Sequence, residues 1–251
     1  MLSDIVAAHR RVAAEDRRDP EALIEAVLGL APERDFRAAL ATPGLSVIAE
    51  IKRRSPSKGD LNPGLDAALT AKAYAEGGAA ALSVLTDADH FGGSPEDLAA
   101  ARRACELPVL RKDFTVDVRD LADARLMGAD AVLLIVAALT DEELRRFRSI
   151  AEGELQLAAL VETHDAEEIE RALAAGATIV GVNQRDLRTF EIDRTLAARL
   201  RDRIPPGIVA VAESGIRHRT EVPEGYDAVL VGESVVTAAD PATAIRQLRG
   251  D

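Results

Sequence analysis

One cysteine, Cys105, cannot close a disulfide within the chain, and tryptophan is absent altogether. With aromatics at 3% and a formal net charge of -12, the chain lacks the stacking surface and the positive field that nucleic-acid binding draws on. The four histidines, His9, His90, His164 and His218, show no metal-ligand spacing. The longest apolar run, Ala131 to Leu139, is far shorter than a membrane span, and the start, MLSDIVAAHRRVAAEDRR, has no signal-peptide apolar core. These shortages imply a cytoplasmic protein with no nucleic-acid partner, no membrane segment and no metal. Any anionic ligand has to meet a local positive site, because the chain as a whole repels it.

What is present is enough apolar sequence for a sizeable core: 47% of 251 residues, with 29% charged. Eight strand-like runs recur: SVIAEIK (46–52), AALSVLT (80–86), LPVLRKD (107–113), DAVLLIV (130–136), LQLAALVE (155–162), TIVGVN (178–183), GIVAVAE (207–213) and DAVLVG (227–232). Most are apolar throughout, which suits parallel strands covered on both faces, and their spacing of roughly 20 to 30 residues leaves room for a helix between them. Those intervening segments carry helix signals. DEELRRFRSIAEG places Leu144, Phe147, Ile150 and Ala151 on one face behind a Thr140/Glu143 capping box. DAEEIERALAAGA repeats the pattern behind Asp165 and Glu168, and Ser94 with Pro95 opens another helix. EGGAAALSV, MGADAVLLI, AGATIVGV and EGYDAVLV read as glycine stops ahead of a strand. Eight such units with right-handed crossovers predict a closed (β/α)8 barrel. The doubly wound alternative would carry G-x-G-x-x-G after an early strand, and none occurs there. The prediction is therefore one barrel domain over residues 1–251, in which residues 1–45, including DPEALIEAVLG and ERDFRAALA, are a helical extension.

Charged and amide residues gather at the ends of these runs: Glu50 and Lys52, Lys112, Glu162, Asn183, and Glu213. Barrels of this kind carry their chemistry at the C-terminal strand ends, and side chains two apart share a strand face, so Glu50 and Lys52 can both enter the mouth. Each has a structural alternative. Glu50 and Lys52 could be an ion pair that stabilises the mouth, Lys112 could pair with Asp113, and Glu162 and Asn183 could cap loops. A purely structural account leaves the recurrence at one end unexplained. AESGI (212–216) and VGES (231–234) add glycines after the seventh and eighth runs, where barrels bind phosphate through backbone N–H groups.

AEIKRRSPSKG, HFGGSPEDL, PVLRKDF, GADAVLLIV, LVETH, GVNQRDL, AESGI and VGES, in that order, resemble the indole-3-glycerol-phosphate synthase family, as does the helical extension. The resemblance implies conversion of 1-(2-carboxyphenylamino)-1-deoxyribulose 5-phosphate to indole-3-glycerol phosphate, with loss of carbon dioxide and water and no cofactor. It implies that Lys112 is the general acid at the ribulose carbonyl, that Glu162 moves protons, and that Lys52, with Glu50 in its network, lies near the phosphate and the dehydration step. Ser55, Ser214, Gly215, Gly232 and Glu233 match phosphate-side positions. Pro56, Phe91, Phe114, Leu133 and Leu187 match the apolar pocket for the anthranilate ring. Asn183, Arg185 and Glu213 match positions that orient substrate. The chain departs from the pattern at Gln184, Val235 and Val236, away from the proposed chemistry. The expected partner is a small phosphorylated substrate, and the protein is expected to be a monomer. Two rival readings are a Schiff-base aldolase using Lys112 or Lys52, and a phosphate-binding barrel without chemistry.

Overall fold

Each of the eight apolar runs forms a strand: β1 (Ser46–Ile51), β2 (Ala81–Leu85), β3 (Val109–Lys112), β4 (Ala131–Ile135), β5 (Ala158–Thr163), β6 (Ile179–Asn183), β7 (Val209–Glu213) and β8 (Ala228–Val231). All pair in parallel with their chain neighbours, and β8 returns to β1 with Ala228 opposite Ser46 and Leu230 opposite Ile48. The sheet in this computed structural model, which describes residues 2–30, 34–186 and 189–250, is thus a closed barrel. Closure leaves the barrel without a free edge, and burial on both faces is why the strands are apolar at most positions instead of alternating.

Alternation persists in where the side chains go. Ile48, Leu110, Leu133, Leu160, Ile179, Val211 and Leu230 pack together as one buried cluster inside the barrel. Val47, Ala49, Val132, Leu134, Val180 and Ala212 belong to a second cluster, shared with the helices. The inward phase therefore reads 48, 50 on β1, 110, 112 on β3, 160, 162 on β5, 179, 181, 183 on β6 and 211, 213 on β7.

Among the described residues three α-helices precede the barrel: α1 (Leu2–Glu15), α2 (Pro20–Val27) and α3 (Phe36–Leu40). Nine more α-helices among them lie between or after the strands: α4 (Ala67–Glu76), α5 (Ala88–Phe91), α6 (Pro95–Ala104), α7 (Val118–Met127), α8 (Asp141–Ser149), α9 (Ala166–Ala174), α10 (Leu196–Leu200), α11 (Glu233–Val236) and α12 (Pro241–Arg249). The Thr140/Glu143 capping box opens α8, and Ser94 caps α6 with Pro95 in its first turn. Asp165 accepts from the Glu168 N–H at the start of α9, but the Glu168 carboxylate does not close a box; it turns to His164. EGYDAVLV also departs from expectation: the segment before it is a 3₁₀ turn, Arg219–Glu221, so Gly225 ends a turn and not an α-helix.

The segment before β1 works at both ends of the barrel. Phe36 and Leu40 of α3 are buried in the interior cluster, and the Leu40 carbonyl accepts from Ser46 Oγ at 3.2 Å, which seats α3 under the start of β1. The Arg37 guanidinium donates to the Gly207 carbonyl, ahead of β7, at 2.9 Å. At the opposite end, α1 is tied to the loops that follow the strands: Arg10 donates to the Ala138 carbonyl at 3.0 Å and to Glu143 at 2.8 Å. No helix among the described residues is long and apolar enough to cross a membrane.

Candidate active site

The inward phase of the strands ends in polar groups, and they meet. Lys112 Nζ donates to Glu162 Oε2 at 2.8 Å across the barrel and lies 3.8 Å from Glu213 Oε2. Asn183 Nδ2 donates to the other oxygen, Glu162 Oε1, at 3.2 Å. Just after β1, Lys52 Nζ donates back to Glu50 Oε1 at 2.5 Å. Lys112 does not pair with Asp113: strand parity turns Asp113 outward, where it takes Arg111 at 3.1 Å. Glu50, Glu162 and Glu213 are all buried, so each ionised carboxylate needs a partner to offset its lost hydration.

The protonation states follow from that burial. Burial works against the charged Lys112 ammonium, but the carboxylates of Glu162, Glu213 and Glu50 outweigh it and hold the ammonium above the usual lysine range. Burial also opposes ionisation of Glu162, yet the Lys112 charge, His164 and the hydrogen bonds from Lys112 and Asn183 draw its carboxyl down to about 2. Glu213 goes the other way. Burial first, then the neighbouring Glu162 charge, pushes it well above the ordinary carboxyl value, against the pull of Lys112. The mouth thus holds an ionised ammonium–carboxylate pair beside a carboxyl group that resists ionisation. Proton donors and acceptors with values driven apart in this way are what acid–base chemistry requires.

One cavity at the mouth is lined by Glu50, Lys52, Lys112, Glu162, Asn183 and Glu213. The apolar candidates Pro56, Phe91, Phe114 and Leu133 line it too, as do Ser55, Arg185, Ser214, Gly215, Gly232 and Glu233. Leu187 lies outside the described residues. The two glycines have physical reasons of their own. A Cβ on Gly232 would fall against the Glu50 carboxylate and 3.1 Å from Lys52 Nζ, so this position stays bare for the Glu50–Lys52 pair. Gly215 has a φ of +76°, follows Ser214 at φ 64°, and would bring a Cβ to 2.7 Å from Ile192. Arg185 donates to the Phe190 carbonyl at 3.1 Å and to Ser57 Oγ at 3.3 Å, joining the loop after β6 to the loop after β1. The Glu233 carboxylate pairs with Arg217 at 3.2 Å and Lys58 at 3.4 Å, so its backbone and not its side chain is free for an anion.

Sequence reasoning missed Leu2 and Ile5 of α1, and Phe190, Ile192, Arg194 and Arg217, all of which line the cavity. Phe190, Ile192 and Arg194 are spaced by two, a period that could have marked them as facing one way. Leu2 and Ile5 are spaced by three on a helix, but nothing in the sequence says which surface that helix covers. It also missed a grouping near α1. His9 Nε2 meets Asp87 at 3.1 Å, its ring stands 5.1 Å from that of Phe114, and ligand atoms of His9, Asp87 and Asp113 lie within 4.8 Å of one another. These come from three separate segments, which is why chain spacing shows nothing. Asp87 also takes the ring and the N–H of His90, and Asp113 takes Thr86 and Arg111, so hydrogen bonds within the protein already engage both acids.

Fold and mouth together define a (β/α)8-barrel of the enzymatic type, with its ionisable groups converged at the C-terminal end of the sheet. Among solved structures, thiamine phosphate pyrophosphorylase from Pyrococcus furiosus shares this fold at a TM-score of 0.62 and 19% identity, over 86% of this chain and 96% of that one. A family model described as Indole-3-glycerol phosphate synthase matches residues 2–248, and the chain belongs to that family. It is 54% identical to indole-3-glycerol phosphate synthase 2 of Streptomyces coelicolor, over 91% of this chain and 90% of that protein. It is 50% identical to the indole-3-glycerol phosphate synthase of a Nocardioides species, over 100% of this chain and 98% of that protein.

Proposed function

We propose that this mouth closes the indole ring, converting 1-(2-carboxyphenylamino)-1-deoxyribulose 5-phosphate to indole-3-glycerol phosphate as a carboxy-lyase of tryptophan biosynthesis. The observation that carries it is the Lys112 ammonium, held in the mouth between Glu162 at 2.8 Å and Glu213 at 3.8 Å. When the aromatic carbon attacks the ribulose carbonyl, charge builds on the carbonyl oxygen, and an ammonium held charged by its neighbours is placed to protonate it. The carbon–carboxylate bond then breaks, and its electron pair restores the aromatic ring. The new hydroxyl leaves as water with a second proton, while a proton is lost from the carbon beside nitrogen. Glu162, ionised and bonded to Lys112, is the group suited to that last transfer. Two protons enter and one leaves, so each turnover takes up one proton as the carboxylate charge departs with carbon dioxide.

The remaining residues bind. Lys52, with Glu50 as its counter-ion, serves the phosphate side and dehydration. Ser55, Ser214, Gly215, Gly232 and Glu233 receive the phosphate, the last three through backbone N–H groups. Pro56, Phe91, Phe114 and Leu133 form the slot for the anthranilate ring, and Asn183, Arg185 and Glu213 orient the chain between. The protein acts without a cofactor as a cytoplasmic monomer, one barrel domain with residues 1–45 as its extension.

Incubating the purified protein with the carboxyphenylamino substrate and following indole absorbance tests the activity. Borohydride added during turnover separates this mechanism from a Schiff-base aldolase: a trapped adduct on Lys112 or Lys52 would favour the aldolase. Lys52→Ala is expected to weaken substrate binding as well as slow turnover.

A further inference from the structure

The ends of β6 and β7 lie side by side, and one side chain carries their pairing past the sheet. Asn183 and Glu213 are partners at the two strand ends, and the next residue, Gln184, donates its backbone N–H to the Glu213 carbonyl at 3.0 Å. Neighbours on a strand point to opposite faces, so Asn183 reaches inward to Glu162 while Gln184 is 2% exposed and does not line the cavity. The Gln184 amide takes the following carbonyl: Nε2 donates to Ser214 O at 2.8 Å. A carbonyl accepts only from a donor, which fixes the amide nitrogen toward Ser214 and leaves the buried Oε1 without a hydrogen-bond partner among the described residues. An unpaired buried acceptor works against folding, so this contact persists against a penalty.

The contact holds a turn that serine by itself disfavours. Ser214 has a φ of 64° and Gly215 a φ of 76°; glycine adopts such angles freely, whereas a residue with a Cβ prefers negative φ. A planar trans peptide aims its C=O and its N–H in opposite directions, so pinning the Ser214 carbonyl on Gln184 turns the Gly215 N–H away from Gln184. Ser214 and Gly215 both line the cavity, and among the described residues no protein acceptor takes the Gly215 N–H. Backbone N–H groups at such turns form concavities that bind anions.

We propose that Gln184 is a positioning residue for the substrate phosphate: by holding the Ser214 carbonyl it keeps the turn left-handed and the Gly215 N–H aimed into the cavity. The inference rests on the reading that Ser214 and Gly215 receive the phosphate. Gln184 lies outside the cavity and acts only through the backbone of the turn. Without its amide, Ser214 returns to negative φ most of the time. Affinity for the phosphate then falls in proportion to the fraction of molecules in which the turn is still formed.

The test is Gln184→Met, which keeps the reach of the side chain and removes the amide. KM for the phosphorylated substrate and the inhibition constant of inorganic phosphate should both rise about tenfold, with kcat within about threefold of the parent. Binding of the dephosphorylated substrate should stay within about twofold. Glycine accepts positive φ, so in a Ser214→Gly background the same Gln184→Met change should raise KM by only about threefold or less. A parent-like KM for the phosphorylated substrate in Gln184→Met would overturn the proposal. So would equal losses for the phosphorylated and dephosphorylated substrates, which would make Gln184 a general support of the mouth. An undiminished factor in the Ser214→Gly background would likewise show that the amide does not act through the turn. Should Gln184→Met fail to fold, Gln184→Asn, whose amide is one methylene too short for the contact, carries the same comparison. The parent protein tests the underlying reading separately: if it binds the dephosphorylated substrate as tightly as the phosphorylated one, Ser214 and Gly215 receive no phosphate.

Discussion

The two ends of the barrel are built from the same inward face of the same strands, yet they differ in kind. Near the closed end that face presents Ile48, Leu110, Leu160 and Val211, packed with Phe36 and Leu40 of α3. One step of two residues further along each strand it presents Glu50, Lys112, Glu162 and Glu213. The apolar end stabilises by removing surface from water and asks nothing of its neighbours but shape. The polar end is paired at a desolvation cost, and replacing a buried ion pair by apolar residues is often neutral or stabilising. Charges retained where apolar groups would pack are best accounted for by chemistry, and stability at this site is supplied from the other end of the same strands.

The largest expected effect lies at the mouth. Lys112→Ala should lower turnover by about 100-fold to 10,000-fold, with substrate affinity within about tenfold, and should also lower the unfolding midpoint, because the buried Glu162 carboxylate loses its counter-ion. Steady-state kinetics with circular dichroism checks this, and near-normal turnover would remove Lys112 from the acid role. The converse change is Phe36→Ala at the closed end, which should cost about 3–5 kcal/mol of stability in urea unfolding while leaving kcat within about twofold in the folded fraction. A large loss of kcat there would mean that the two ends are not separable.

Gly232 tests the seam between binding and pairing. Because a Cβ at this position would press on Glu50 and Lys52, Gly232→Ala should raise KM about tenfold or more, with a smaller effect on stability. A dephosphorylated substrate should then bind equally weakly to parent and variant. If it discriminates between them, Gly232 does not act through the phosphate side.

The smallest effect is in pH dependence. Glu213 resists ionisation in the folded barrel, whereas in the unfolded chain it ionises at an ordinary carboxyl value. A raised folded value makes a contribution that is fully present below the unfolded value and lost as pH rises. Glu213→Gln, which imitates the protonated acid, should therefore gain stability relative to the parent on going from a measurement at about pH 5 to one about a pH unit higher, by at most about 1.4 kcal/mol. Glu162 has the opposite sign: drawn down to about 2, its contribution is present above the unfolded carboxyl value and is lost on acidification below it. Parallel unfolding curves for parent and Glu213→Gln at both pH values would show that Glu213 is ionised in the fold.

By itself the sequence determined the eight strands, the barrel and the polar residues of its mouth. Each of these is written locally: in unbroken apolar runs, in caps such as Thr140 and Ser94, and in the two-residue period that puts Lys112 and Glu162 on the inward phase. The family segments added roles to residues already marked by position. Tertiary structure decided which charge meets which. Lys112 chooses Glu162 over its chain neighbour Asp113, because parity turns the two lysine-side candidates to opposite faces. It also decided that α3 plugs one end while α1 covers the other, and that His164 stands between Glu162 and Glu168. Nor could Gly232 be read from chain order as space left for Glu50 and Lys52, since the glycine and the pair are separated by nearly the whole barrel in sequence and meet only where β8 closes on β1. Such pairings depend on closure of the sheet and on the register across it, and a local pattern along one strand carries neither.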